Sequence, residues 1–276
     1  MKLCISDRLV VYTTAVLDNA QAHNSTSIIV AILKYALQIY TDFAGYSNMA
    51  IGVGLLLGLK VTPNFNRPFL ATSVAAFWRR WHISLTTWIT DYIFMPLNLR
   101  WRDRGAMGLY MATMVNLLVI GAWHGANWTY VVFGAFYGVV MVVEMSLSQR
   151  RKKFEKSHHL KTNALYRTLR WMEVFLIYAF AAMIFRAADM GDVCTVVSQI
   201  FTCPGSLYIG DWLVFVYGGC SVVLLLFKEV KDELGWNVHL LHAPDRWVRI
   251  VSFALLLCYV IGTGVLDGVN FIYMQF

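Results

Sequence analysis

The sequence predicts an all-α fold, a polytopic bundle of transmembrane helices, from its composition and from the length of its apolar stretches. Of 276 residues, 58% are hydrophobic and 14% are charged, whereas charged residues make up about 25% of an average soluble domain. A soluble chain of this length cannot bury so much apolar surface in one core. Five apolar stretches come close to the ~20 residues that a membrane-spanning helix needs, and they cover residues 109–123, 128–145, 171–185, 212–227 and 250–265.

The first apolar region of the chain is interrupted by polar residues. Residues 27–40 and 49–59 are apolar but short, and residues 41–48 (TDFAGYSN) separate them. Irregular backbone at membrane depth is tolerated only where protein or a water-filled cavity covers its polar groups. We therefore expect two short helices here, or one interrupted helix.

The basic residues predict the orientation of the chain in the membrane. The net charge of +7 would suit a nucleic-acid partner, but the lysines and arginines lie in short loops beside apolar runs, so we expect a lipid bilayer and no nucleic acid. Residues 146–170 hold eight of them and residues 186–211 only one, which predicts a cytoplasmic loop followed by an external one. The loop around residues 228–249 is then cytoplasmic, and the tail 270–276 external.

No internal repeat, low-complexity tract or linker divides the chain, so the simplest prediction is one membrane domain over residues 1–276. The five cysteines form no C-x-x-C pair and no histidine stands at zinc spacing, so no metal site is predicted. Cys194 and Cys203 share a polar loop, and whether they pair stays open. The sequence also lacks a Walker loop, a G-x-S-x-G elbow and an H-E-x-x-H motif.

A first candidate site surrounds His82, in a region too polar for lipid and too aromatic for a solvated loop. Residues 78–84 read WRRWHIS. If residues 74–90 form a helix, Trp78 and His82 share a face and Arg79 lies one turn before His82. The guanidinium would disfavour a protonated imidazole and keep His82 neutral. The alternative is an interfacial amphipathic helix whose arginines meet lipid phosphates, with His82 incidental.

A second candidate site surrounds His124, between the first two apolar spans. Residues 121–128 read GAWHGANW. Gly121 and Gly125 permit the close approach of a backbone or ligand, and the flanking tryptophans can wall a narrow passage. Apolar surroundings favour the neutral imidazole that a base needs in order to take a hydroxyl proton. The alternative is an interfacial turn histidine. For the remaining histidines we expect solvated side chains: His23, His158, His159, His239 and His242.

Two carboxylates in the same half of the chain are expected to support these sites. Asp42 stands within the first apolar region, where a charge needs a partner, and Arg67, Arg79 or Arg80 are the candidates. Asp91 could orient an imidazole or neutralise an arginine, and its spacing does not choose between these roles. Structural support is the expected role for Asp42, Tyr46, Arg67 and Asp91.

Five ordered motifs between residues 38 and 128 give the chain a close resemblance to a known family. They are residues 38–47 (QIYTDFAGYS), 64–68 (NFNRP), 77–85 (FWRRWHISL), 91–97 (DYIFMPL) and 121–128 (GAWHGANW). The chain resembles the membrane-bound O-acyltransferase family, in particular its bacterial branch that contains the alginate O-acetylation protein and the D-alanyl transferase of teichoic acids.

The resemblance implies a helical bundle with short, interrupted and interfacial helices around a central tunnel, in the inner membrane of a bacterial cell. There an acyl group from a thioester donor, acyl-CoA or the phosphopantetheine of an acyl-carrier protein, meets a hydroxyl on an exported or cell-envelope polysaccharide. The resemblance also implies a carrier on the cytoplasmic side and an extracytoplasmic partner similar to acyltransferases and esterases. It implies no metal and no tightly bound cofactor.

The resemblance also assigns residue roles. His124 matches the catalytic histidine of the family, and His82 matches its supporting histidine. Substrate contacts are expected from Trp78, Arg79, Trp81, Trp123, Asn127 and Trp128.

Two departures from the family pattern stand out. Relatives are longer at the N-terminal side, which implies that this chain corresponds to their C-terminal part. After residues 96–97 many relatives continue with a double glycine, whereas residues 98–102 read NLRWR here. This loop could alter carrier docking or acceptor choice. A D-alanyl transferase, a transporter with the two histidines on its pathway, and a scaffold remain as alternatives to an O-acetyltransferase.

Overall fold

A computed structural model describes residues 1–236 and 240–265, so His239 and the tail 270–276 lie outside the described residues. Within these ranges the chain forms α-helices joined by short 3₁₀ and π turns, with no strand. The helices are α1 (Asp7–Leu17), α2 (Ser25–Leu56), α3 (Val74–Trp78), α4 (Ile83–Ile89), α5 (Met95–Arg100), α6 (Ala106–Trp123), α7 (Trp128–Ser157), α8 (Ala164–Arg186), α9 (Met190–Thr202), α10 (Trp212–Glu233) and α11 (Arg246–Thr263).

The all-α, membrane-spanning fold that the sequence predicts is confirmed. Six helices in the described part of the chain are long and apolar enough to cross a membrane: α2, α6, α7, α8, α10 and α11. The first four of the last five contain the stretches predicted from hydropathy at 109–123, 128–145, 171–185 and 212–227, and α11 covers all but the last two residues of the fifth, 250–265. The chain is therefore a multi-pass membrane protein.

The predicted interruption of the first apolar region is wrong, because α2 runs unbroken from Ser25 to Leu56. Its polar residues find partners that leave the helix intact. The Thr41 hydroxyl donates back to the Leu37 carbonyl at 2.8 Å, and the Asp42 carboxylate pairs with the Lys2 ammonium at 2.6 Å. Gly45 lies against the backbone of Lys2, where a side chain would collide with it. The polar side chains of this segment therefore form hydrogen bonds and ion pairs and do not interrupt the helix.

The basic segment after the second span is also more helical than predicted. Helix α7 continues to Ser157, so Arg150–Lys153 lie on its final turns and not in a loop. Thirty helical residues extend about 45 Å, which exceeds the ~30 Å hydrocarbon thickness of a bilayer. The charged end of α7 therefore projects beyond the hydrocarbon region, where solvated lysines and arginines are favourable.

The described residues form two compact units, the first containing residues 1–50 and the described residues from Gln199 onward, and the second residues 51–198. In the first unit, buried polar pairs join α2 to other helices. The Thr13 hydroxyl donates to Gln38 Oε1 at 2.5 Å, and the Tyr40 hydroxyl donates to Glu229 Oε1 at 2.6 Å. Such pairs satisfy polar groups that lipid or an apolar core would leave without partners.

In the second unit, α6 and α7 form an antiparallel pair whose backbones approach closely through glycines. A Cβ atom on Gly121 would overlap the Tyr130 carbonyl oxygen and lie 3.2 Å from Gly134 backbone atoms. Conversely, a Cβ on Gly134 would lie 2.5 Å from the Leu117 carbonyl oxygen. Small residues allow transmembrane helices to pack by van der Waals contact without a hydrophobic driving force. This close crossing fixes the end of α6, where His124 follows.

Candidate active site

The single helix expected over residues 74–90 is instead two helices separated by a tight turn. Helix α3 ends at Trp78 and α4 begins at Ile83, and His82 has a left-handed backbone with φ of 45°. A non-glycine residue pays roughly 1–2 kcal/mol for this conformation, so surrounding contacts must hold it. Because the turn breaks the helical register, Trp78 and His82 do not share one helix face.

Those contacts come from residues 64–67, which run beside the His82 turn. The Asn66 N–H donates to the Arg80 carbonyl at 3.0 Å, and the Ile83 N–H donates to the Asn64 carbonyl at 3.0 Å. Asn64 Oδ1 also accepts from the Ser84 N–H at 3.1 Å and from the Ser84 hydroxyl at 2.7 Å. These bonds bracket His82 on both sides and explain why the strained turn persists.

Arg67 has a structural place in the same turn, as its expected supporting role requires. It too has a left-handed backbone, with φ of 48°, and its carbonyl accepts a hydrogen bond from Arg80 Nη1 at 3.2 Å. The NFNRP motif therefore builds the backbone frame of the His82 turn.

His124 lies immediately after α6 and is enclosed by aromatic rings. Its ring centroid is 4.9 Å from that of Phe185 and 5.0 Å from that of Trp123, both in edge-on geometry. Phe133 and Tyr130 on α7 lie slightly farther, at 6.2 Å each. Edge-on contacts of this kind fix a ring orientation and exclude water from its faces.

Trp123 contacts both imidazoles. Its ring centroid is 6.0 Å from His82 and 5.0 Å from His124. The indole is 54% exposed, so it borders space that another molecule can enter. The structure therefore brings His82 close to Trp123 and His124, which follow it in the sequence by about forty residues.

Both imidazoles have pKa values below that of an ordinary histidine. Burial lowers the pKa of His82 from 6.5 to about 4. Burial, with a smaller contribution from His82, lowers the pKa of His124 from 6.5 to about 4. Desolvation disfavours the charged form, which is the cause from which the sequence analysis predicted a neutral His124, and that neutral state stays a prediction. The neutral state of His82 was attributed to Arg79, whereas its cause in the structure is burial.

A cavity of about 490 Å³ in the second unit contains three of the predicted site residues, namely Trp78, Arg79 and Asp91. Four threonines and Asn116 add polar groups to a mainly apolar wall. The Trp78 indole N–H and Asn116 Oδ1 are buried and have no hydrogen-bond partner within the described part of the chain.

The structure gives other predicted substrate-binding residues different surroundings. Trp81 is buried among Phe65, Phe77 and Tyr178, with ring centroids 4.9–5.5 Å away. Its immediate surroundings are the aromatic core, and a substrate contact stays a prediction.

The remaining predicted contacts lie around the first turn of α7. The Asn127 amide is engaged at both ends, since Oδ1 accepts from the Thr129 N–H at 3.2 Å and Nδ2 donates to the Ala188 carbonyl at 2.7 Å. Trp128 is 73% exposed. For both residues a role in substrate binding stays a prediction.

The other predicted supporting residues, Asp42 and Tyr46, belong to the first unit. Asp42 is 1% exposed and pairs with Lys2, a partner that the sequence argument did not consider. Tyr46 is 41% exposed on α2. Cys194 and Cys203 are both free thiols.

Sequence reasoning missed the contribution of α8. Tyr178 packs on Trp81 and Phe185 packs on His124, with ring centroids 4.9 Å apart in each pair. The two aromatic residues are seven positions apart and thus share a helix face. That spacing was the available signal, but in an apolar span it resembles the pattern of side chains that face lipid.

The fold and the site together define a multi-pass membrane protein in which Trp123 contacts two imidazoles, and a partly polar cavity contains Trp78, Arg79 and Asp91. The model of MBOAT, the membrane-bound O-acyltransferase family, matches residues 9–185, which is more than half of the chain. The chain therefore belongs to the membrane-bound O-acyltransferase family, as its motifs indicated.

Several curated relatives are similar to the chain over the same region. A probable alginate O-acetylase AlgI from Azotobacter vinelandii is 38% identical over 181 residues, which cover 65% of this chain and 32% of the relative. A peptidoglycan O-acetyltransferase from Helicobacter pylori is 31% identical over 189 residues, 68% of this chain and 34% of the relative. A teichoic acid D-alanyltransferase from Streptococcus thermophilus is 35% identical over 128 residues, 44% of this chain and 31% of the relative. The aligned parts of the chain thus correspond to about one third of the length of these relatives.

Proposed function

We propose that the protein transfers an acyl group, acetyl in the leading version, from a thioester to hydroxyls of an exported or cell-envelope polysaccharide in a bacterial inner membrane. The observation that carries the proposal is the pair of imidazoles that both contact Trp123 and whose pKa values burial lowers to about 4. Family membership and the names of the relatives, two of which are O-acetyl-transferring proteins, point to the same chemistry.

In the proposed reaction His124 acts as the general base. One of its ring nitrogens takes the proton of the acceptor hydroxyl, and the resulting alkoxide attacks the thioester carbonyl carbon. The tetrahedral oxyanion collapses with cleavage of the carbon–sulfur bond, and the leaving thiolate takes the proton back from His124. An alcohol and a thioester thus become an ester and a thiol, and the imidazole returns to its neutral form.

His82 is assigned the supporting role. Its neutral ring carries one N–H, which can donate to the oxyanion as charge develops. The Ser84 hydroxyl lies 3.5 Å from His82 Nδ1 and is itself held by Asn64. Because the Ser84 hydroxyl gives its one proton to Asn64 Oδ1, its oxygen can only accept from His82 Nδ1, and this contact does not select the Nε2–H tautomer.

The cavity beside α3 and α6 is the proposed site of the donor. Ile120, which lines it, precedes His124 by one turn of α6, and Arg79 lines it from the His82 side. A pantetheine thioester contains amide N–H and carbonyl groups, which suit a mainly apolar cavity whose wall includes four threonines and Asn116. Acyl-CoA and the phosphopantetheine of an acyl-carrier protein both carry this arm, and we propose that it arrives from the cytoplasmic side.

The proposal is tested by assaying membranes that contain the protein with acetyl-CoA or acetylated carrier protein and a soluble alginate fragment. Free thiol and alkali-labile ester on the polymer should appear in equal amounts, and His124→Ala should abolish both. His158→Ala, a change at an exposed histidine outside the site, should have no effect at equal protein level. Ester formation that continues in the His124→Ala variant would exclude this mechanism and favour a transport or scaffold role.

A D-alanyl transferase is the second candidate, because one group of relatives carries that name. The same assay separates the two versions when D-alanyl carrier protein and a polyol phosphate acceptor replace the acetyl donor and alginate. Transfer of D-alanine without transfer of acetyl would select the second candidate. An extracytoplasmic acyltransferase-like or esterase-like partner is proposed for the acetyl version, since the polysaccharide lies outside the membrane.

A further inference from the structure

We propose that Glu144 and Arg170 form a clamp that positions α3, and with it one wall of the donor cavity and the start of the His82 turn. The proposal rests on the function proposed above and names two positioning residues for that reaction. Neither residue belongs to the five motifs that the sequence singled out.

The clamp contacts the backbone on both sides of Ser73, where the chain enters α3. Glu144 Oε2, from α7, accepts a hydrogen bond from the Ala75 N–H at 3.1 Å. Arg170 Nε, from α8, donates to the Thr72 carbonyl at 3.1 Å. The two side chains also interact, with Glu144 Oε1 3.6 Å from Arg170 Nη2. Arg151 Nη1 donates to Glu144 Oε1 at 2.8 Å and completes the group.

A helix as short as α3 depends on such contacts. It has five residues, fewer than the ~12–15 at which isolated helices become even marginally stable in water. The Ser73 hydroxyl accepts from the Ala76 N–H at 3.0 Å, and Glu144 accepts from the adjacent N–H. Two of the N–H groups that every helix start leaves without an intrahelical partner are thereby satisfied.

The burial of the charged groups argues for a positional role. The Glu144 and Arg170 side chains are 12% and 15% exposed, so both charges have lost most of their water. Ion pairs at this depth contribute little net stability because desolvation offsets the attraction. Their role is geometric, since the carboxylate accepts a hydrogen bond from the α3 backbone at Ala75 and the guanidinium donates to the carbonyl of Thr72, two residues before α3.

The position of α3 affects both the donor cavity and the His82 turn. Its residues Ala75 and Trp78 line the donor cavity, while Val74 lines a separate cavity of about 560 Å³ that contains Glu144 and Arg170. Phe77 is 1% exposed and stacks on Trp81, the residue before His82, with centroids 5.5 Å apart. A shift of α3 therefore moves the donor wall and the aromatic residues that lead into the His82 turn.

The first test compares Glu144→Ala, Glu144→Gln and Glu173→Gln in the acyl-transfer assay. Glu144→Ala removes the acceptor for the Ala75 N–H and is expected to raise KM for the thioester about tenfold while kcat changes less than threefold. Glu144→Gln keeps an acceptor oxygen and should recover most of that loss. Glu173→Gln is the matched control, because Glu173 pairs with Arg170 without touching α3, and it should leave KM unchanged.

The second test is independent of activity. In hydrogen–deuterium exchange of the detergent-solubilised protein, Glu144→Ala should speed exchange of the amides of residues 74–78 at least tenfold and leave α6 unchanged, whereas Glu173→Gln should change neither. Equal exchange in Glu144→Ala and the parent protein, or an equal KM increase in Glu173→Gln, would overturn the clamp. If the parent protein transfers no acyl group, the proposed function fails while the exchange experiment still decides the clamp.

Discussion

The two histidine segments reach neighbouring positions by different physical means. The His82 turn has a strained backbone held by hydrogen bonds from Asn64 and Asn66. His124 follows a regular helix, with a backbone φ of −75°, and is held by the shape of the aromatic rings and glycines around it. His82 is thus fixed by directed polar bonds, and His124 by close packing.

This difference predicts which kind of substitution each segment tolerates. Hydrogen-bonded turns fail when one partner is removed, because the remaining buried donor or acceptor loses its bond. Closely packed segments fail when volume is added or removed, since interiors are filled to crystal-like density. We therefore expect the His124 segment to be sensitive to changes in side-chain volume, and the His82 segment to be sensitive to the loss of hydrogen-bonding groups.

Among substitutions that leave both histidines in place, the largest effect is expected for Gly121→Ala, which adds one carbon where α6 meets α7. The new Cβ would overlap the Tyr130 carbonyl and crowd Gly134 backbone atoms, none of which can move aside as a side chain would. Misplacing a catalytic group by about 1 Å can cost on the order of 10²-fold in rate, and we expect that loss in kcat/KM.

Gly219→Ala is the matched control for Gly121→Ala. Nothing lies within 4 Å of a Cβ at that position, so thermal stability and acyl-transfer rate should match those of the parent protein. If Gly121→Ala were as active as Gly219→Ala, close packing would not be what holds His124.

A smaller effect is expected for Asn64→Ala, which removes the acceptor of both Ser84 hydrogen bonds. Because both hydrogen bonds are exposed to solvent, their loss costs about 1 kcal/mol, so kcat/KM should fall roughly fivefold as the His82 turn loosens. In a His82→Asn background the same change should add little, because the group that it positions is already absent.

Asn66→Ala is the control for Asn64→Ala. The Asn66 side chain is exposed, and its contribution to the turn is a backbone N–H that alanine retains. Equal losses in the two variants would show that the Asn64 side chain has no special part in holding the turn.

Phe185→Leu should have a modest effect at His124. It removes an edge contact with the imidazole and keeps an apolar side chain in place. Aromatic pairs contribute about 0.5–1.5 kcal/mol beyond their burial, so we expect a roughly threefold lower kcat, while Phe180→Leu, a change of a half-exposed ring on the same helix, leaves kcat unchanged. A loss that appears equally in both variants would point to α8 as a whole and not to the ring at His124.

The smallest change is expected on acidification. Because burial lowers the pKa of both imidazoles from 6.5 to about 4, they stay neutral as the pH falls through 6.5 and become protonated only as it approaches 4. The profile of kcat/KM against pH should therefore stay level between about pH 8 and about pH 6 and decline well below the ordinary histidine range. A profile that halves near pH 6.5 would show that the working imidazole is solvated.

The sequence predicted the spanning helices well because length and hydropathy alone decide that a segment lies in lipid. Its errors concern two segments. For residues 41–48 it predicted an interrupted helix, whereas α2 is continuous there. For residues 74–90 it considered a single helix, whereas the segment forms α3 and α4 with a turn between them. In both cases tertiary contacts decided the outcome. The contacts of Asp42 and Gly45 with Lys2 accommodate the polar residues of a continuous α2. Hydrogen bonds of Asn64 and Asn66 stabilise the turn at His82.

The histidines of the candidate site were predictable because an imidazole between tryptophans is uncommon in an apolar chain. The residues around them were only partly predictable. Phe185 and Asn116 lie within ordinary apolar spans, and nothing in their spacing distinguishes them from side chains that face lipid. The role of Asn64 depends on a backbone turn eighteen residues later, and no local pattern encodes such a contact.

The most direct test of the central claim compares His124→Ala with His82→Asn in single-turnover acyl transfer at saturating donor. His124 is assigned the proton transfer, worth on the order of 10²–10⁴-fold, whereas asparagine at position 82 tolerates the left-handed backbone and retains an N–H donor. We predict a loss of about 10³-fold for His124→Ala and about tenfold for His82→Asn. Equal losses, or a larger loss at position 82, would contradict the assignment of His124 as the base.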